Sequence, residues 1–183
     1  MGVWIFIGLV VLAVVAAIGI YNRLVGLRNA SESAWSDVDV QLKRRWDLVP
    51  NLVQTVKGYA SHEQQTFAQV TEMRSRAMAE TDPAARADAE NGLTRALRGL
   101  FAVAEAYPEL RASDNFRDLQ ASLGEIEDAI QKARRYYNAV VRDLNTSCET
   151  FPSVLVANAF GFAKRDYFEL DDEAERAAPA VSF

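Results

Sequence analysis

The chain predicts an all-α protein: an N-terminal transmembrane helix followed by an antiparallel bundle of three long helices plus one short C-terminal helix. Three observations carry that expectation. Gly2 to Tyr21 (GVWIFIGLVVLAVVAAIGIY) is an uncharged apolar run. Beyond it β-branched runs are nearly absent, and Ala, Leu, Glu, Arg and Gln, all good helix formers, dominate. Apolar residues then recur at three-four spacing along most of the remaining chain, the period of a helix with one buried face.

The apolar run comes first. At about 1.5 Å per residue it reaches roughly 30 Å, the thickness of the bilayer hydrocarbon. Trp4 and Tyr21 stand at its two ends, where amphipathic rings prefer the interface. A cleaved signal peptide is the competing reading. Val15-Ala16-Ala17 resembles a cleavage site, but the basic n-region is missing and the apolar core is too long. Phe6 stands where a myristoylation motif requires Ser or Thr. No Lys or Arg precedes the run, whereas Arg23 and Arg28 follow it. The positive-inside rule therefore places the N-terminus outside and the large domain in the cytoplasm.

Four segments result: a transmembrane helix at 1–22, a juxtamembrane helical connector at 23–32, a helical bundle at 33–169 and a disordered acidic tail at 170–183. The net charge of -5 is concentrated from Asp166 to Phe183, where Asp166, Glu169, Asp171, Asp172, Glu173 and Glu175 stand against the single Arg176. The rest of the chain is close to neutral and has no basic face of the kind nucleic acid requires. Cys148 is the single cysteine, so no intrachain disulfide forms and cysteine usage is silent on compartment.

The first bundle helix sets the pattern. Trp35, Val38, Leu42, Val49, Leu52, Val56 and Tyr59 share one face. Arg45 occupies the slot between Leu42 and Val49. The expectation is that Trp46 fills the core beside it while Arg45 snorkels outward along its stem, with a buried ion pair as the alternative. Pro50 removes one backbone hydrogen bond and crowds the carbonyl of Trp46, at about 3 kcal/mol. The apolar phase continues on both sides of it, so one kinked helix is expected rather than two. Gly58 is expected to soften this helix without breaking it. The pattern resumes through Phe67, Val70, Met73 and Ala77 to near Thr81.

Asp82 as N-cap and Pro83 at the first helical position start the second helix. It carries Ala89, Leu93, Ala96, Leu97, Leu100, Ala104 and Tyr107, and Pro108 bends or ends it. Ser113-Asp114 offers the next cap. The third helix, from about Asn115 to Ser147, keeps heptad spacing through Phe116, Leu119, Leu123, Ile126, Ile130, Ala133, Tyr137, Val140 and Leu144. Phe151-Pro152 stops it. Ser153 to Phe160 (SVLVANAF) reads as a short apolar helix closed by Gly161, and Phe162, Tyr167 and Phe168 supply aromatics to fold back. Short connections make neighbouring helices antiparallel. Tyr21-Asn22 and Tyr137-Asn138 each open a YNx[LV]V pentapeptide, in which the two tyrosines would bond neighbouring backbone.

No catalytic, cofactor-binding or metal constellation is expected. His62 opens HEQQT, and a zinc-binding helix needs its second His where Thr66 stands. Cys148 lacks a His partner and reads as a structural thiol. Gly-rich phosphate loops and nucleophile elbows are absent from the sequence. Glu125, Glu127 and Asp128 lack a His at diiron spacing and read as a solvated face.

Five ordered blocks resemble the LemA family of bacterial membrane proteins. They are YNRLVGLRN (Tyr21 to Asn29), AWSDVDVQLKRRWDLVPNLVQTVKGYASHE (Ala34 to Glu63), YPELRASDNFRDLQ (Tyr107 to Gln120), ARRYYNAVVRDLN (Ala133 to Asn145), and FPSVLVANAFGF with YFE (Phe151 to Phe162, Tyr167 to Glu169). The resemblance implies a helical-bundle domain held on the cytoplasmic membrane by one span, without established catalytic residues and tied to envelope maintenance or stress. Its motif positions are candidates for an interaction surface: Trp35, Asp39, Gln41, Arg44, Arg45, Asp47, Pro50, Asn51, Lys57, Tyr59, His62 and Glu63. The expected function is that of a non-enzymatic membrane-anchored scaffold, self-associating through its bundle. A lipid-organising or curvature-sensing protein acting through the span with Arg23, Arg28 and Lys43 to Arg45 is the alternative. The expected partners are the lipid bilayer and a second copy of the chain, with another membrane protein as a further candidate. No nucleic acid, small-molecule substrate or cofactor is expected.

Overall fold

A computed structural model describes residues 1–170. The acidic tail expected at 170–183 thus lies, from Asp171 onward, outside the described residues. Every regular element among the described residues is a helix: α1 (Gly2–Lys57), α2 (Gln64–Ala79), α3 (Pro83–Glu105), α4 (Pro108–Ala112), α5 (Asp114–Glu149) and α6 (Ser153–Phe160). The all-α class, with a long apolar N-terminal helix leading into a helical bundle, holds.

The first part of α1 has a window of mean hydropathy 3.0, none of it buried inside the protein. A core helix of a soluble domain would be covered. By length and composition this segment is able to cross a membrane. Beyond it the same helix turns amphipathic, and Leu24, Ala34, Val38, Leu42, Val49, Leu52 and Val56 are buried.

α1 stays helical through Pro50, as expected, but it does not survive Gly58. The Tyr59 amide donates to the Val56 carbonyl at 3.0 Å and the Glu63 amide to the Ala60 carbonyl at 3.1 Å, three residues back instead of four. That tightening turns the chain, Ala60 plugs the turn, and a separate α2 begins at Gln64. The single helix expected to reach Thr81 is therefore two. α2 packs against α3, closely enough that a Cβ on Gly92 would stand 3.1 Å from the Met73 sulfur.

Asp82 caps α3 as expected: its carboxylate accepts from the Ala85 amide at 3.0 Å, with Pro83 in the first turn. α3 ends at Glu105, and Pro108 opens the five-residue α4 instead of bending α3. α5 follows the expected stripe with two corrections: Arg134, not Ala133, is the buried residue between Ile130 and Tyr137, and Val141, not Val140, is the one between Tyr137 and Leu144. An α-helix drifts against a strict seven-residue repeat, so a buried slot passes to the next residue. α6 ends at Gly161, whose left-handed φ of 70° suits a residue without Cβ.

The described chain forms two compact units, one of Met1–Val40 with Ile130–Tyr167, the other of Gln41–Ala129 with residues from Phe168. In the first, Leu24, Leu144, Cys148, Val156 and Ala157 make an apolar cluster. The extended segment after α6 is clipped to α5. The Asn145 amide nitrogen donates to the Arg165 carbonyl and its oxygen accepts from the Arg165 amide, both at 2.9 Å. The Tyr137 hydroxyl donates to the Asp166 carbonyl at 2.9 Å. Tyr21 instead sets its ring edge-on to Phe160 and Phe162, so the two pentapeptide tyrosines play different parts. In the second unit α2 and α3 lie together, and the Phe101 and Phe116 rings sit 6.1 Å apart.

Candidate interaction surface

The distinctive residues of α1 fall into an inward and an outward group, and the inward group corrects the sequence reading. Arg45 does not snorkel. It has no exposed surface, and its guanidinium is paired with Glu90 of α3 and with Glu127 of α5 at 2.9 Å, touching the Thr94 hydroxyl at 3.2 Å. Glu90 is equally buried and accepts from the Trp46 indole N–H at 2.7 Å. Trp46 does fill the core, as expected, with the Arg86 guanidinium 5.7 Å above its ring. Burial alone pulls the Arg45 pKa down, but Glu90 and then Glu127 outweigh it and hold the group above the ordinary arginine value. Snorkelling fails because two carboxylates stand where the stem would have to pass nothing but apolar surface. Glu127 is correspondingly half-buried and ion-paired, not part of a solvated face, whereas Glu125 and Asp128 are exposed.

Glu90 was missed from sequence. The signal was present: it lies on the stripe of Leu93, Leu97 and Leu100, an acid in an apolar row, as Arg45 is a base in another. Two core slots holding opposite charges are the trace of a buried pair.

Pro50 explains a second missed residue. A proline nitrogen has no hydrogen, so the Trp46 carbonyl loses its usual helical donor. Arg74 of α2 donates its Nε–H to that carbonyl at 2.7 Å. A side chain from the neighbouring helix thus satisfies the group the proline leaves open.

The remaining candidates are distributed as follows. Trp35 is half-buried with its ring 5.2 Å from Tyr137, and Asp39 is half-buried; both belong to the first unit. In the second unit Arg44, Asp47 and Asn51 follow one another on the exposed side of α1, and Pro50 is exposed beside them. Arg44 donates to half-buried Gln41 at 2.8 Å. Asn51 borders a shallow hollow of about 350 Å³ with Gln54, Thr55, Asn115 and Leu119. Lys57, Tyr59 and His62 are exposed at the end of α1 and in the turn, and Glu63 is half-buried before α2. His62 therefore sits in the turn between α1 and α2 and not within a helix that continues to near Thr81.

Cys148 is packed in the apolar cluster of the first unit. Burial, with Glu149 beside it, pushes its thiol above the ordinary 9.0, so it is protonated and poorly nucleophilic at neutral pH. No group of three or more His, Cys, Asp or Glu among the described residues has the geometry to hold a metal ion.

These features define a class: an all-helical domain behind a membrane-competent N-terminal helix, keyed by a buried ion pair and carrying a polar outward face. A family model described as LemA family matches residues 34–183, and the chain belongs to the LemA family. Among relatives, it is similar to magnetosome protein MamQ 2 of Paramagnetospirillum magneticum, 27% identical over 189 residues, covering 87% of this chain and 70% of the relative. Magnetosome protein MamQ of Magnetospirillum gryphiswaldense is 24% identical over 174 residues, covering 81% and 64%. Protein LemA of Metamycoplasma hominis is 26% identical over 144 residues, covering 76% and 64%. The protein is thus a membrane-associated member of this family.

Proposed function

We propose that the protein is a non-enzymatic scaffold of the bacterial cell envelope, anchored by a single pass of α1 in the cytoplasmic membrane. Its N-terminus is outside and its bundle is in the cytoplasm. It works by self-association or by docking a membrane partner through the outward side of α1 and the turn that follows. The observation that carries this reading is the exposed row of Arg44, Asp47 and Asn51, continued by Lys57, Tyr59 and His62 in the same unit. Tyr59 is 45% exposed, an aromatic ring presented at the surface by the turn that follows α1, as recognition surfaces use them. Two further points support a role without catalysis. The one thiol is buried and protonated, and the names its relatives carry designate no reaction.

The test is disulfide and photo-crosslinking in native membranes from single substitutions at Asp47, Asn51 and Tyr59, followed by mass measurement of the particle extracted in mild detergent. A crosslinked homo-oligomer or defined hetero-complex is expected. Monomer alone from all three positions removes the scaffold reading. Protease accessibility of the bundle in inverted vesicles, and its protection in intact cells, checks the orientation.

A further inference from the structure

α6 and the residue pair before it leave large apolar side chains uncovered: Phe151 is 80% exposed, Leu155 61% and Phe160 64%. Scattered surface hydrophobics need no explanation, but these three lie close together in the chain, on α6 and the pair that leads into it. The buried side of that element locates it. Val156 and Ala157 pack with Leu24, and Ala17 and Ile20 lie against the same cluster. The Phe160 ring meets Tyr21 at 4.9 Å, and the Phe162 ring meets it at 5.7 Å. Ala17, Ile20 and Tyr21 form the last turns of the apolar run. That run has roughly 20 residues, about 30 Å of helix, for a hydrocarbon layer of about 30 Å. It has no slack, so its last turns stand at the membrane boundary and α6 stands there with them.

We propose that α6 is a second membrane contact, a short helix lying in the interface. Phe151, Leu155 and Phe160 enter the headgroup–acyl boundary of the bilayer that α1 crosses. The inference rests on α1 being a span. Phe and Leu are the side chains that interfacial helices bury at that depth. The polar groups around them suit it as well. Arg23 borders a cleft of about 360 Å³ that Ile20 and Phe151 also line, and the Arg28 guanidinium lies 5.5 Å from the centre of the Phe162 ring. Cations at this level meet lipid phosphates, and more strongly where the lipids are anionic.

The test uses the full chain in vesicles of phosphatidylethanolamine and phosphatidylglycerol. Single cysteines for an NBD fluorophore are introduced as Leu155→Cys and Phe151→Cys at α6, Leu9→Cys in the span, and Asp37→Cys on the exposed side of α1. The unsubstituted chain, labelled in parallel, sets the background from buried Cys148. A side chain about 5–10 Å into the boundary is within reach of lipids spin-labelled near the top of the acyl chain, so emission at Leu155→Cys and Phe151→Cys should fall at least about twofold. Emission at Asp37→Cys should be nearly unchanged. Quenching at Leu9→Cys without quenching at either α6 position overturns the interfacial contact and leaves the span standing. No quenching at any position overturns the span and this inference together. Blue-shifted but unquenched emission at Leu155→Cys means that protein, such as a second copy, covers α6, and that also overturns it.

Discussion

Removing the Arg45 side chain leaves Glu90 as a fully buried carboxylate with the Trp46 indole N–H still on it. Arg45→Ala should therefore lower stability by about 3–5 kcal/mol, read as a fall in the urea midpoint of the detergent-solubilised chain. Glu127→Gln should cost about 1 kcal/mol or less, because Glu127 is 36% exposed and solvent screens its share of the pair. The pH dependence follows from the sign of the shift. A base whose folded pKa is raised contributes fully below its unfolded value and loses that contribution only above it. Arg45 is raised above the ordinary arginine value, so its contribution should be flat from neutral pH through the whole moderately alkaline range. Cys148 runs differently. Its folded thiol holds the proton above 9.0, so stability should fall as pH rises past that value, and the thiol should alkylate far more slowly than free cysteine at pH 8. Trp46 in the core, the Asp82 cap and the Gly161 stop were legible because each is decided within a few residues. The partner of Arg45 was not, because Glu90 is 45 residues away and only the packing of α1 on α3 brings them together.

The helix ends teach a similar lesson. Val56, Ala60, Phe67, Val70 and Ala77 are spaced four, seven, three and seven apart, all compatible with one helical face, yet the chain turns between the first and third of them, with Ala60 inside the turn. A tight turn of nearly whole-turn length leaves the apolar phase intact, so periodicity alone joined two helices into one. Pro50 is the opposite case, a breaker that breaks nothing. Arg74→Met should cost about 1–3 kcal/mol, since the half-open Trp46 carbonyl loses its donor. In a Pro50→Ala background the backbone N–H restored at that position can serve the same carbonyl, and Arg74→Met should cost clearly less. A double-mutant cycle of urea midpoints should return a coupling of about 0.5–3 kcal/mol, and additive effects would mean that Arg74 and Pro50 are unrelated. At the far end of the chain, Gly161→Ala has open space for its methyl, so any loss comes from backbone strain at φ 70°, about 1–2 kcal/mol.

At the scale of the molecule, the apolar run, the helical class and the family blocks were all readable, because each is a property of long stretches. The outward side of α1 was readable only as a list of positions, since the sequence could not say that Arg45 and Trp46 face in while Arg44 and Asp47 face out. The buried pair has a consequence for assembly of the fold itself. Stripes of Leu, Val and Ala at near-heptad spacing are self-similar, and α3 slid by one turn along α1 would still bury apolar surface against apolar surface. Arg45 and Glu90 remove that degeneracy: in the slipped arrangement Glu90 would be buried away from the guanidinium that pairs with it, at a desolvation cost no packing restores. Replacing both with Arg45→Met and Glu90→Gln, which keeps an acceptor for the Trp46 indole N–H, should leave stability unchanged or higher by about 1–4 kcal/mol. The same variant should show broadened amide resonances from competing alignments. Sharp, singly populated spectra would mean that the pair is not the address by which the helices recognise their places.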